Sequence, residues 1–274
     1  MQLRRASTVL AVLGVISSLL AGCSVNNSTT KNTKGSSRPV AGDAPSGDLP
    51  GWRQTFREDF TSGDVPLGSW PAQYGDRWDA YPEPWRDTSG NGVYSPERVL
   101  SIKHGLLDMY LHSEEGQPYV AAPEPTLNGA SGPRGQRYGR YSVRFRADPV
   151  PGYKVAWLLW PDSNHRRDGE IDFPEANLDS TINGFVHEAD SDRGQEKFAT
   201  SKTLGNWHIA TTEWLPGRVR FILDGSVIGT ATTKVPSKRM HWVLQTETEI
   251  DGRVPAANAE GHVQVDWVVA YDRR

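Results

Sequence analysis

The stretch that decides the reading runs Gly169-Glu170-Ile171-Asp172-Phe173-Pro174-Glu175. On a β-strand, residues two apart share a face, so Glu170 and Asp172 point one way and Ile171 and Phe173 the other. One face is therefore wet and the other core. Plain alternation puts Glu175 with the apolar side chains. One extra residue restores its phase, and a β-bulge supplies it. Pro174 marks the place, because proline within a sheet is confined to edges, strand starts and bulges. With the bulge, all three carboxylates face one side.

That geometry carries chemistry. Glu170 and Glu175 then act like residues four apart, roughly 13 Å between Cα atoms at about 3.3 Å per residue. Side chains leaning together close this to about 5–6 Å, near the about 5–5.5 Å of a carboxylate pair that cleaves glycosidic bonds with retention; inversion needs about 6.5–9.5 Å. Neighbouring carboxylates repel, so one is expected to stay protonated near neutrality and to suit general acid work. The bare spacing also fits a solvated strand face or a calcium site, so its surroundings matter.

Outward from the triplet the chain reads as strands. Val155–Trp160 is a continuous apolar run, as in a strand covered on both faces. Tyr138–Ala147 alternates, with Tyr141, Val143 and Phe145 on one face. Arg98–Ile102 and Leu106–Leu111 flank His104-Gly105. Val219, Phe221 and Leu223 alternate into Asp224-Gly225, a hairpin signal of the primed type, and Val227-Ile228 returns. His262–Tyr271 closes the chain. Little helical periodicity and no internal repeat occur between 51 and 274. Many short strands predict an all-β fold, a β-sandwich or jelly roll.

Composition agrees. The 274 residues include 27 Gly and 19 Pro, as turn-rich β-folds do, with ten Trp and a single Cys. One Cys excludes a disulfide framework and a Cys-based zinc cluster. The net charge of −3 argues against a nucleic-acid partner. No G-x-S-x-G elbow, P-loop or H-E-x-x-H occurs. Asp190-Ser191-Asp192-Arg193-Gly194 has the look of a calcium loop, but its twelfth position is Ser201 where a bidentate Glu is required, so the EF-hand reading fails.

The first fifty residues read as address and tether. Arg4 and Arg5 precede a short apolar stretch, Thr8–Leu20, too short to span a bilayer comfortably. It ends in Leu20-Ala21-Gly22-Cys23, which resembles the bacterial lipobox; Cys23 is then the lipidated N-terminus and 1–22 a signal peptide. A plain signal peptide is the alternative. Residues 23–50 hold almost no large apolar residue and read as a flexible tether, leaving 51–274 as the folded domain. The expectation is an extracytoplasmic protein that touches membrane only through its N-terminal lipid.

The triplet resembles the catalytic signature of glycoside hydrolase family 16 in its longer, bulged form, E-x-D-x-x-E. The likeness continues in order along 51–274: Phe56-Arg57-Glu58-Asp59-Phe60, Tyr138-Gly139-Arg140-Tyr141, Val155-Ala156-Trp157-Leu158-Leu159, Trp214 to Gly225, and Val265 to Tyr271. It implies a β-jelly roll of two stacked antiparallel sheets with an open carbohydrate-binding cleft, and a retaining endo-glycosidase on a β-linked polysaccharide, a β-1,3- or mixed-linkage glucan first. Glu170 would be the nucleophile, Glu175 the acid/base and Asp172 the residue that holds the nucleophile's charge and orientation. A galactan hydrolase, a transglycosylase or a binding protein with a dead site are the alternatives. No cofactor is expected; a structural calcium, with ligands unassigned, is compatible with the family. The expected state is a monomer with polysaccharide as its partner.

Sugars stack on aromatic rings, so the surplus of Trp has an expected use. Trp70, Trp78, Tyr81, Trp85 and Tyr94 cluster in a Pro/Gly/Asp-rich stretch that reads as loop, and Trp78, Tyr81 and Trp85 are assigned to substrate. Trp157 and Trp160 lie an odd step apart, so one is core and the other cleft. The resemblance favours Trp157 for the cleft; the strand end at Pro161 favours Trp160. His187 is a candidate substrate contact near Glu175, or a hydrogen-bonded strand histidine. Gln245 and Glu247 share a strand face and suggest a cleft wall. Their segment departs from the more apolar, Gly-rich laminarinase pattern, which leaves laminarin specificity open. Trp52, Trp207, Trp214 and Trp267 are expected to be structural.

Overall fold

The computed structural model describes residues 43–129, 134–191 and 194–274. The signal segment 1–22, Cys23 and the tether as far as residue 42 lie outside the described residues, as do Asp192 and Arg193. Among the described residues no helix is long and apolar enough to cross a membrane.

Among the described residues two large, mainly antiparallel sheets form the fold, with a two-stranded one beside them. The smaller of the two runs Gln195–Thr203, Thr181–His187, Glu170–Asn177, Tyr153–Pro161, Met240–Thr248. The larger is centred on Gly139–Ala147 and Gly261–Arg273, which pair with each other along their lengths. Their facing sides interdigitate in one core. Phe145 meets Trp157 with ring centroids 4.8 Å apart, Phe173 meets Phe221 at 4.9 Å and Tyr141 meets Trp242 at 5.4 Å. Such aromatic pairs bury much apolar area and prefer tilted or edge-to-face geometry, as here. The expected jelly roll is the fold observed.

Turn chemistry places the hairpins. His104 and Gly105 have φ of 55° and 73°, Asp224 and Gly225 of 50° and 80°, so both two-residue turns carry the paired positive φ of type I′. The strand before His104 starts at Leu100, two residues later than the alternation suggests. Pro96 opens a helical turn, Pro96–Val99, that occupies its first residues.

Two departures from the sequence reading follow from packing. Residues 44–50, assigned to the tether, lie on the outer face of the larger sheet. Ala44 packs with Trp267, Val269 and Tyr271, and Gln54 donates to the Pro45 carbonyl at 2.9 Å. The stretch from 70, read as loop, contains a helical turn, Trp70–Tyr74, and a short strand, Trp78–Ala80. Trp70 stacks on Tyr74 at 4.6 Å, and Trp78 stands edge-on to Phe56 at 5.5 Å. Both indoles are buried in the main core, so Trp78 fills the core instead of the cleft.

Candidate active site

The bulge sits where Pro174 marks it. Asp172 is paired with Leu158 and Glu175 with Ala156, so three steps on the signature strand match two on its neighbour. The same shift appears on the other side, where Asp172 pairs with Phe185 and Glu175 with Asn183. Ile171, Phe173 and Ala176 are buried in the sandwich. Glu170, Asp172 and Glu175 line a cavity of about 400 Å³ on the opposite face of the sheet.

That cavity adjoins a second, of about 310 Å³, and the two share Thr88, Leu158, Glu170 and Gln245. Together they make a continuous cleft. Tyr81, Trp85, Tyr94 and Trp160 line its second part, and Trp85 is 57% exposed there. A larger cavity of about 660 Å³, beside Trp70, Trp78, Glu83 and Arg98, contains none of the triplet.

The aromatic assignments separate on strand phase. Lys154, Ala156, Leu158 and Trp160 face the cleft, while Val155, Trp157 and Leu159 face the core. Trp157 is fully buried against Phe145, so Trp160 is the cleft residue of the pair and Trp157 is not. Trp160 donates its indole N–H to Asn164 Oδ1 at 3.2 Å. Tyr81 lies 5.7 Å from Trp85 and edge-on to Tyr94 at 5.2 Å, which makes one aromatic wall. Among the rings expected to be structural, Trp214 and Trp267 are buried; Trp207 lies beneath the guanidinium groups of Arg144 and Arg146.

Register also fixes the place of His187, which lines the cavity together with Glu175. It pairs with Glu170, five positions before Glu175 on the signature strand. Its Nε2 lies 3.0 Å from Asp172 Oδ2 and 3.9 Å from Glu170 Oε2. Arg166 Nη2 is 3.2 Å from its Nδ1. A guanidinium only donates, so Nδ1 accepts and Nε2 carries the proton; neither Asp172 oxygen takes a hydrogen bond from it. Burial holds the imidazole below its ordinary value, against the pull of Glu170. It is a neutral linker between Arg166 and the carboxylates.

Electrostatics of the triplet are dominated by burial. Glu170 is pushed up to about 9, first by desolvation and then by the Asp172 charge. Asp172, 3% exposed, is raised well above the usual range by desolvation and then by Glu175. Both shifts run upward, so near neutrality the pair keeps a proton. Glu170, Asp172 and His187 offer atoms all within 4.8 Å of one another, a set that could hold a metal ion.

Lys154 and Asp87 escaped the sequence reading. Lys154 Nζ is 2.8 Å from Glu175 Oε1 and 3.7 Å from Glu247 Oε2. Burial works to lower this ammonium's value, but the two carboxylates outweigh it and raise it. Glu247 lines the cavity, but its Oε1 accepts from Thr88 N at 3.2 Å and from Thr88 Oγ1. Its carboxylate is thus taken up within the protein, holding the 81–94 segment and Lys154. Gln245 lines both parts of the cleft. Asp87 secures the same segment, its Oδ2 accepting from Thr248 N and Oγ1 at 2.7 Å each.

Residues 118–269 match the model of the glycosyl hydrolases family 16. The chain belongs to this family. A β-glucanase of Paenibacillus polymyxa is 26% identical over 141 residues, which are 48% of this chain and 58% of that protein, so the match spans little more than half of that relative. Among solved structures, SCLam, a non-specific endo-β-1,3(4)-glucanase from family 16, superposes with a TM-score of 0.66 at 17% identity, over 84% of this chain and 94% of its own. Rv0315, a pseudo β-1,3-glucanase of Mycobacterium tuberculosis, superposes at 0.63 with 20% identity, over 81% and 99%. At such identities the likeness establishes the shared family 16 fold. The segment that resembles the family's bulged signature lies within the matched residues, and its three carboxylates line the cleft.

Proposed function

We propose that the chain is a retaining endo-glycosidase of β-1,3- or mixed-linkage glucan. The observation that carries this is the bulge, which sets Glu170 and Glu175 on one wall of an open cleft, next to an aromatic wall of Tyr81, Trp85 and Trp160. An elongated cleft with flat aromatic surfaces suits a polymer chain, and two glutamates on one strand suit double displacement.

In the first step Glu170 attacks the anomeric carbon while Glu175 protonates the departing glycosidic oxygen. One C–O bond forms as the other breaks. In the second step Glu175, now a carboxylate, takes a proton from water; the hydroxyl oxygen bonds to the anomeric carbon and Glu170 leaves. The Glu170–Asp172 pair keeps a proton near neutrality, and the attack requires that it rest on Asp172. Glu170 then carries the negative charge beside a neutral Asp172. His187, held by Arg166, fixes Asp172 from the other side.

The test is a panel of laminarin, lichenan, agarose, carrageenan and xyloglucan with reducing-end detection, followed by proton NMR of the first products. The β-anomer is expected to appear first from a glucan. An α-anomer first would overturn retention, and release only from a galactan would overturn the substrate class. Glu170→Gln is expected to bind polysaccharide without cleaving it.

A second reading is a carbohydrate-binding protein that no longer cleaves. The pairing of Glu175 with Lys154 favours it, since the acid is engaged by a cation. Binding by every member of the panel without release would decide for it. We also propose export with lipidation at Cys23, outside the described residues; mass spectrometry of the mature N-terminus tests this.

A further inference from the structure

Lys154 is the one ammonium among the described residues lining the catalytic cavity. It stands on the Tyr153–Pro161 strand, and its side chain is 6% exposed. Glu247 lies 3.7 Å away, on Met240–Thr248, and offers one partner for the buried charge. The closer contact, 2.8 Å, is with Glu175. Thr88 holds Glu247 from the other side, so Thr88, Glu247, Lys154 and Glu175 form a chain from the aromatic segment to the acid/base position.

A neutralising role for a crowded set of carboxylates would account for a cation nearby. It does not account for a direct hydrogen bond to the residue that must deliver a proton. A cation bonded to a carboxylate favours its charged form. The first half-reaction needs Glu175 with a proton; the second needs it without one.

We propose that Lys154 is a positioning residue that holds Glu175 as an oriented carboxylate in the free enzyme, disfavouring the first, acid-assisted step relative to the second, base-assisted one. This rests on Glu175 being the acid/base. The other charged groups facing the site are Glu170 and Asp172 on the same strand, His187 on the strand beside it, Arg166 before it, Glu247 opposite, and Asp87 behind Glu247. None but Lys154 brings a positive charge to Glu175 at bonding distance among the described residues. The consequence is a reaction sensitive to its leaving group. A 2,4-dinitrophenyl β-glycoside departs without a proton and escapes the restraint, while a glucan does not.

The experiment compares wild type, Lys154→Met and Lys154→Arg on a soluble glucan and on the dinitrophenyl glycoside across pH. In Lys154→Met the alkaline limb of kcat/KM on glucan is expected to move up, since an opposite charge at bonding distance favours a carboxylate over its acid. The ratio of dinitrophenyl to glucan turnover is expected to fall, and Lys154→Arg to restore both. A limb and a ratio unchanged in Lys154→Met would overturn the proposal. If Lys154→Met does not fold, Glu247→Gln serves. It leaves the ammonium to Glu175 alone, so the limb is expected to move down; no movement, or movement up, overturns it.

If wild type cleaves neither substrate, the functional reading fails and the electrostatic one is still measured. Carbon NMR then follows the side-chain carboxyl signal that disappears in Glu175→Gln. Its titration midpoint is expected to rise in Lys154→Met, and an unmoved midpoint overturns the proposal.

Discussion

His187 Nε2 lies 3.0 Å from Asp172 Oδ2, and Arg166 on the other ring nitrogen leaves the ring proton on that Nε2. The imidazole packs against the buried Glu170–Asp172 pair without a hydrogen bond to either Asp172 oxygen. Removing it takes away the nearest polar neighbour and lets Asp172 and Glu170 reorient. Leaving a buried polar group without its neighbour costs about 1–3 kcal/mol. His187→Phe is expected to lower kcat on glucan about 10- to 100-fold, by the conversion of about 1.4 kcal/mol per tenfold, with KM changed less. Steady-state kinetics check it. A rise in KM with kcat intact would make His187 a substrate contact instead.

The triplet also has a cost in stability that depends on pH. Glu170 is raised from 4.5 to about 9, chiefly by burial. Between those values the folded chain keeps a proton that the unfolded chain releases. A group raised in this way favours the folded state at low pH, and that contribution is lost as pH climbs through the window. Glu170→Gln removes the titration. Its melting temperature is expected to match wild type near pH 5 and to exceed it at pH 9, at roughly 2–4 °C per kcal/mol for a domain of this size. Thermal melts at pH 5, 7 and 9 measure this. Parallel pH dependence in the two proteins would contradict it.

Trp157 and Trp160, both on the Tyr153–Pro161 strand, are expected to respond in opposite ways. Trp157 is fully buried against Phe145, so Trp157→Ala is expected to cost about 3–5 kcal/mol by denaturant unfolding. Trp160 is a cleft residue, and Trp160→Ala is expected to leave stability unchanged. It should raise KM about 5- to 30-fold with kcat held, as for loss of an aromatic anchor of roughly 1–2 kcal/mol. The reverse pattern would place the strand in the opposite phase.

That pair also marks how far the sequence could be read. Alternation alone put Trp157 and Trp160 on opposite faces but left open which was which. Lys154 held the missing information: it shares a face with Ala156, Leu158 and Trp160, and a charge at the strand's start marks the wet side. The bulge was legible because proline leaves few places in a sheet. Trp70 and Trp78 were not, because they enter the core from a short helical turn and a three-residue strand, where no period forms. Nor was the engagement of Glu247 with Thr88, a contact between segments 159 residues apart.

The last prediction concerns the residue before Glu170. Gly169 has φ of 90° and ψ of 175°, a region almost closed to residues with a side chain. A Cβ there would meet Pro236 Cγ at 2.5 Å and the His187 carbonyl oxygen at 3.0 Å. Neither neighbour gives easily, since one is a ring and the other is backbone of the strand paired with Glu170. Gly169→Ala must therefore shift the entry to the signature strand, at about 1–3 kcal/mol of strain. The shift falls directly on Glu170, and a displacement near 1 Å at a reacting group can lower the rate about a hundredfold. The variant is expected to stay folded, melt a few degrees lower and lose kcat far more than KM. Its thermal melt and its kinetics on glucan test this together. Wild-type kcat in a folded Gly169→Ala protein would mean that the backbone at 169 does not position the nucleophile.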